Sequence, residues 1–305
     1  MNMDRQASAM QVDRKPIPRS RPRLFSSGRI GLYIFAFASM LFFLLPFWVM
    51  LVTSLKPMDE IRLGNLLAWP HNLTFQPWIA AWSSACTGLV CDGIRGGFVN
   101  SVLITVPAVI ISVLFGAING YAISTWKPRG ADLLFGGLVL GAFIPYQVFV
   151  YPMTRILANF GLFGSLGGLI GIHVIFGLPL TTMLFRNFYA GMPPELFKAA
   201  RVDGAGFWKM FVYVMLPMSM PILVVALVLQ VTGIWNDYLL GLIFGGSSYA
   251  PMTLQLNNIV NTVEGERNYN IDMAATIITA LVPLLVYFLS GKLLVRGVTA
   301  GAVKG

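Results

Sequence analysis

The chain is 305 residues long, 56% hydrophobic and only 11% charged, with a mean hydropathy of +0.74. Such a composition excludes a water-soluble enzyme, which carries far more charge on its surface. The formal net charge of +9 does not point to nucleic acid, because the basic residues are distributed as membrane topology would place them.

The first thirty residues are polar, basic and rich in Pro and Ser. They read as a tail, residues 1–29, with no apolar pattern from which to build a core and with a basic character suited to a membrane surface. Six runs free of Asp, Glu, Lys and Arg then follow, each close to the roughly 20 residues needed to cross about 30 Å of hydrocarbon. They are Ile30 to Ser54, Phe98 to Trp126, Leu133 to Met153, Gly164 to Phe185, Val212 to Ile234 and Met273 to Gly291. The expected fold is all-α and polytopic, with six transmembrane helices. It comprises a first helix at 30–54, an external loop at 55–97, a five-helix core at 98–294 and a C-terminal tail at 295–305. The first run is too long for the apolar stretch of a secretory signal, and "LVTSLKPMDE" after it lacks a small-residue cleavage site, so it is expected to remain as an anchor.

The basic residues orient these spans. With the N-terminus inside, sixteen of the 21 Lys and Arg residues fall on the inner side: seven in the tail, two at Lys127 and Arg129, four at Arg186, Lys198, Arg201 and Lys209, and three at Lys292, Arg296 and Lys304. Only Lys56, Arg62, Arg95, Arg155 and Arg267 fall outside. The positive-inside rule therefore predicts both termini in the cytoplasm.

In the external loop, "LLAWPHNLTFQPWIAAW" carries the Pro and Trp of an interfacial segment. Cys86 and Cys91, spaced as CTGLVC, are either a disulfide, which an oxidising compartment permits, or two free thiols. No His or second Cys pair accompanies them as in a metal site. "KPRGAD" and "TRILANFGLF" read as short turns on the inner and outer sides. Gly116 and Gly120 in the second span, and Gly164, Gly167, Gly168 and Gly171 in the fourth, stand at small-xxx-small spacing that favours internal helix packing. Pro145, Pro179, Pro217, Pro221 and Pro283 are expected to interrupt helices.

The chemistry of the chain is sparse. His173 is the sole titratable side chain at mid-span, and a lone histidine beside Gly171 reads as a packing or hydrogen-bonding residue rather than a proton relay. No GxxxxGK[ST], HExxH, Ser/His/Asp set or paired carboxylates can be assembled from 12 acids that lie almost wholly outside the spans. No catalytic or metal-binding residues are expected. If ATP drives transport, a separate subunit has to bind it.

The informative segment is the inner loop at 186–211, within "RNFYAGMPPELFKAARVDGAGFWKMFVYVMLPMSMP". Pro193 and Pro194 suit a helix start, Glu195 suits the positive end of the helix dipole, and Gly204 suits the position past a helix end. The pattern predicts a short helix, a break at Asp203-Gly204, and a second helix leading into the fifth span. Leu196, Ala199, Ala200 and Asp203 fall on roughly one face, which would dock on a partner or rest on the inner leaflet.

Here the sequence resembles the EAA loop of ABC importer permeases, through Ala199-Ala200, Asp203-Gly204-Ala205 and Leu216-Pro217. In that family the loop is the coupling helix that docks on the ATP-binding subunit, which implies that Glu195, Leu196, Lys198, Ala199, Ala200, Asp203, Gly204 and Pro217 form the ATPase-coupling element. Lys198 stands where the family usually has Glu. The resemblance covers the chain from about residue 30 to its end. It is nearest to carbohydrate permeases similar to the second membrane subunit of the maltose importer, through "NGYAIS", "FIPYQVFVYPMTRILANFGL", "WNDYLLGLIF" and the terminal "RGVTAGAVKG".

The implied fold is that of a type I ABC importer permease in the bacterial inner membrane. The implied partners are the lipid bilayer, a second homologous permease, two ATP-binding subunits holding ATP and Mg, and a periplasmic sugar-binding protein; no cofactor is expected on this chain and no nucleic acid partner. Candidate substrate-pathway residues, chosen for hydroxyl-matching polarity or an aromatic face, are Asn100, Tyr146, Gln147, Gln230, Trp235, Asn236 and Asp237. A permease of the same architecture for a non-sugar solute is the alternative; an ion-coupled carrier would lack an intramembrane carboxylate.

Overall fold

The computed structural model describes residues 27–88, 90–261 and 267–302. The basic tail through residue 26 and the last three residues of "RGVTAGAVKG" lie outside the described residues. The chain divides at Trp48/Val49 into two compact units. Every regular element among the described residues is helical.

Helix α1 (Ser27–Ser54) begins in the first unit, where its side chains from Phe35 to Phe47 are almost all exposed and apolar. Exposure of this kind is stable only in lipid. The second unit holds the end of α1 and everything after it.

Helices α2 (Met58–Arg62) and α3 (Gln76–Ser83) form in the loop between the first two spans. There Cys86 and Cys91 are disulfide-bonded. Gly93 follows at φ +68°, where an added Cβ would overlap the Trp82 carbonyl, so the turn admits glycine alone. Helix α4 (Arg95–Tyr121) widens into a π-helical turn at Ala122–Trp126 and stops at Lys127, whose φ is +45°.

Helix α5 (Ala131–Phe143) then meets a sharp break. Pro145 forces Ile144 into an extended conformation because its ring clashes with a helical predecessor. After a 3₁₀ turn at Tyr146–Phe149 the chain continues as α6 (Val150–Asn159), bent 100° from α5. The expected straight third span is therefore a bent pair, and "TRILANFGLF", expected as a turn, is largely helix.

Helix α7 (Leu166–Ala190), N-capped by Ser165 Oγ accepting from the Gly168 N–H at 3.0 Å, runs past the expected end of its span. It leads through α8 (Pro194–Val202) and α9 (Phe207–Met210) to a second break. A π-helical turn at Phe211–Met215 and α10 (Leu216–Met218) precede α11 (Met220–Trp235), with a 78° bend at Ser219 between Pro217 and Pro221. Pro221 has no N–H to continue the ladder. Pro179 and Pro283, by contrast, sit inside the unbroken helices α7 and α14. Their expected interruptions do not form. Helices α12 (Leu239–Phe244), α13 (Met252–Val260) and α14 (Tyr269–Ala302) complete the chain. Among the described residues four helices are individually long and apolar enough to span a membrane, and counting each bent pair as one span gives six.

The core is the α4–α7 contact. A Cβ on Gly116 would overlap the Thr181 side chain, and one on Gly120 would lie 2.6 Å from the Arg186 nitrogen, so two glycines let the backbones touch. Gly167 and Gly171 differ: no atom lies within 4 Å of either Cβ position. The expectation that these two serve internal packing is not met. Helix α11 joins through polar side chains. Ser112 Oγ donates to Gln230 Oε1 at 3.3 Å, Gln230 Nε2 reaches the Gly177 carbonyl at 3.5 Å, and Thr181 Oγ1 donates to the Ser112 carbonyl at 3.0 Å. In hydrocarbon such groups need internal partners, and three helices supply them to one another.

Candidate functional site

Two places carry chemistry: a cavity beside α7 and α11, and the short helix between those spans.

The cavity has a volume of about 520 Å³ and is lined by residues of Tyr146–Phe149, α7, α11 and the turn into α12. The breaks in the helices build it, since the bend at Pro145 brings Tyr146 and the end of α11 brings Asn236 and Asp237. Four of the expected pathway residues, Tyr146, Gln230, Asn236 and Asp237, converge there. Three do not. Gln147 is exposed and absent from the lining. Asn100 Nδ2 donates to the Ser248 and Ala250 carbonyls, both at 3.1 Å, fixing the loop before α13. Trp235 is buried in a second apolar cluster, with Nε1 donating to the Thr279 carbonyl at 3.0 Å and its ring 5.7 Å from that of Phe98.

Asp237 caps α12: its carboxylate accepts from the Leu240 N–H at 3.3 Å and the Gly241 N–H at 2.9 Å. The Thr253 hydroxyl donates to its backbone carbonyl. His173, read from sequence as a packing residue, lines the same cavity with Nε2 3.9 Å from Asp237 Oδ2. Sequence alone had no signal for that meeting of residues 64 positions apart, because it depends on how α7 and α11 cross.

Helix α8 has the expected start and end. Pro194 occupies its first turn and Glu195 follows. At its end the Gly204 N–H donates to the Arg201 carbonyl and the Ala205 N–H to the Ala200 carbonyl, a Schellman cap that needs the left-handed conformation found at Gly204, φ +73°. The expected docking face is revised. Ala200, with Phe197, turns toward the chain's own core, and Leu196 is half-buried. The outward face is instead Glu195, Lys198, Ala199 and Val202, with Val202 87% exposed and Asp203 at its margin. Lys198 thus stands in the middle of that face. Pro217 belongs to the bend before α11 and not to α8.

What ties α8 to the spans is an aromatic cluster around Tyr121 of "NGYAIS". Tyr121 is fully buried, with its hydroxyl donating to the Phe207 carbonyl at 3.3 Å and accepting from Trp126 Nε1. Its ring stacks on Phe211 at 5.7 Å and lies 4.8 Å from Phe207. The Arg201 guanidinium sits 5.1 Å from the Trp126 ring centre, a cation–π contact that joins α8 to the end of α4. Arg186 makes a similar contact, 4.5 Å from the Phe135 ring.

A short helix packed against the ends of two spans, and a cavity with a few polar groups between the spans, suit a transport subunit. Residues 97–300 match the family model described as the binding-protein-dependent transport system inner membrane component. The chain belongs to that family. The permease is 35% identical over 93% of its length to a probable ABC transporter permease protein of Pyrococcus horikoshii, whose whole length is covered. It is 34% identical over 85% of its length to an osmoprotective compounds uptake permease protein of Synechocystis sp., 87% of which is covered. An alpha-glucoside transport system permease protein of Rhizobium meliloti is 35% identical over 71% of this chain and 58% of that one. In fold it is similar to a chain of a bacterial ABC transporter involved in import of the acidic polysaccharide alginate, with a TM-score of 0.71 at 17% identity over 91% of this chain and 99% of the other. The permease is therefore a multi-pass inner-membrane subunit of an ABC importer, a transport component rather than an enzyme, from a family in which separate subunits hydrolyse ATP.

Proposed function

We propose that the permease conducts a sugar, a mono- or oligosaccharide, delivered by a periplasmic binding protein, with transport driven by ATP and Mg held in two partner subunits. The observation that carries the substrate class is the cavity, where Tyr146, Gln230, Asn236 and Asp237 bring an aromatic face and hydroxyl-matching groups together. Sites of about 300–1,000 Å³ with few oriented polar groups are typical of small-molecule recognition. The alpha-glucoside relative supports the same class.

In this reading a second, homologous permease completes the pathway, and both termini lie in the cytoplasm with α8. The outward face of Glu195, Lys198, Ala199 and Val202 docks on an ATP-binding subunit. Closure of the two ATPase subunits shifts α8, and the Tyr121 cluster passes that displacement to α4 and α7. Each contact has to differ in strength between inward- and outward-open states, since a partner shifts an equilibrium only by its differential affinity.

The test is affinity purification from native membranes in mild detergent, followed by uptake in proteoliposomes. Stoichiometric recovery of an ATPase and a second permease, with ATP-dependent sugar uptake, is the expected result. Recovery of this chain alone, with uptake that collapses on adding an ionophore, would overturn it. The Synechocystis relative, an osmoprotective compounds uptake permease, keeps a solute of that class as a second reading, and uptake assays with non-sugar osmoprotectants separate the two.

A further inference from the structure

We infer that this chain itself holds one sugar unit in its cavity, that His173 and Asp237 share a ligand hydroxyl there, and that Asp237 excludes anionic sugars. The inference rests on the sugar reading above and adds the residues and the charge of the ligand.

His173 is 6% exposed and Asp237 10%, and both face the cavity. Their nearest atoms, Nε2 and Oδ2, are 3.9 Å apart, beyond the roughly 3.2 Å limit of a direct hydrogen bond. No hydrogen bond joins the His173 ring to any described residue, although a buried polar group is normally satisfied. A carboxylate offers about four acceptor positions, and the backbone N–H groups of Leu240 and Gly241 take two at Asp237. Acceptor capacity remains on the cavity side. A hydroxyl oxygen about 2.8 Å from each atom fits between them with an angle near 90° at the oxygen. It would accept from the imidazole N–H and donate to the carboxylate, the exchange an alcohol can make and an apolar ligand cannot.

The rest of the lining agrees. Phe176 and Tyr146, ring centres 5.8 Å apart, supply the apolar face against which a sugar ring packs. No Lys or Arg among the described residues lines the cavity, so with a neutral His173 the Asp237 carboxylate is the formal charge this chain's described residues bring to it. A uronate carboxylate would meet like charge with no counter-ion from the described residues of this chain, at an interaction that low polarity around the site strengthens. The fold shared with an importer of acidic polysaccharide therefore does not extend to its ligand charge.

The test uses the assembled importer, purified through this chain and reconstituted with its binding protein. Two photoreactive diazirine probes, one built on methyl glucoside and one on the matching glucuronide, are compared after peptide mapping. The glucoside probe is expected to label peptides containing residues 173–180 and 229–240, and the glucuronide at least about tenfold less. His173→Phe should raise the KM for uptake roughly tenfold, the loss of one ligand hydrogen bond, with the assembled complex still recovered. His173→Gln, which keeps a donor, should recover much of it. Asp237→Asn, whose single amide oxygen keeps one of the two bonds to the start of α12, should narrow the preference for the neutral probe. Labelling confined to the partner permease, while ATP-driven uptake of the neutral sugar continues, overturns the inference and leaves the sugar reading standing. Import of a non-sugar solute with no uptake of any neutral sugar overturns the sugar reading itself.

Discussion

The close approach of α4 and α7 makes Gly120→Ala a sharp test of the core. A Cβ there would lie 2.6 Å from the Arg186 nitrogen, 2.7 Å from Phe185 Cβ and 2.9 Å from the Phe185 carbonyl carbon, where ordinary contact starts at 3.4 Å. Two of the three atoms are backbone, so no rotamer change relieves the overlap and α7 has to recede by about 0.8 Å, the difference between the first and last of those distances. The next residue is Tyr121, which would lose fit against Tyr189 on α7. Overpacking of this kind costs about 1–3 kcal/mol. In a helix, Gly→Ala otherwise favours the folded state by roughly 0.5–1 kcal/mol, so the sign of the result separates steric cost from propensity. Thermal melting of the purified permease complex is the assay, with a loss of several degrees expected at roughly 2–4 °C per kcal/mol. Gly171→Ala, with open space at its Cβ, should leave the melting in the same assay unchanged or slightly raised. Equal losses at both positions, or none at Gly120, would refute the close-approach argument.

The aromatic link from α8 predicts uncoupling: Trp126→Ala or Arg201→Ala should lower uptake several-fold while ATP hydrolysis persists, measured as the transport-to-hydrolysis ratio in proteoliposomes. At Gly204 nothing lies within 4 Å of an added Cβ, so the cost of substitution is conformational alone, about 1–2 kcal/mol for a residue that resists the left-handed region. Uptake should therefore rank Gly above Asn, Asn above Ala and Ala above Val. A complete loss with Asn would point to direct contact at the glycine instead. Replacing Cys86 and Cys91 by Ser frees a short loop, for which the chain-entropy account gives about 2 kcal/mol. Faster protease cleavage near residues 84–94 is the expected readout, and unaltered cleavage would count against any constraint by the bond.

Composition and charge were enough to establish the class of the molecule, because a bilayer admits few solutions for a chain with 12 acids and six apolar runs. The start of α8 at Pro194 and its end at Gly204 were also legible, since both depend on local backbone rules: proline tolerates the first helical turn, and a left-handed cap favours glycine. Glycine and proline spacing was less informative. Pro145 bends its span while Pro179 does not, and Gly120 is packed while Gly171 is open, because what surrounds a residue is decided by other helices. The same reason separates the candidate pathway residues. Asn100 and Trp235 share the chemistry of Gln230 and Asp237 but face a loop and a buried cluster. His173, unremarkable in sequence, becomes interesting when α7 brings it 3.9 Å from Asp237. One-dimensional pattern determined which segments are apolar enough to span and where α8 starts and stops; the crossing of α4, α7 and α11 decided which side chains share the cavity, because a contact between distant residues is a property of packing and not of either segment alone.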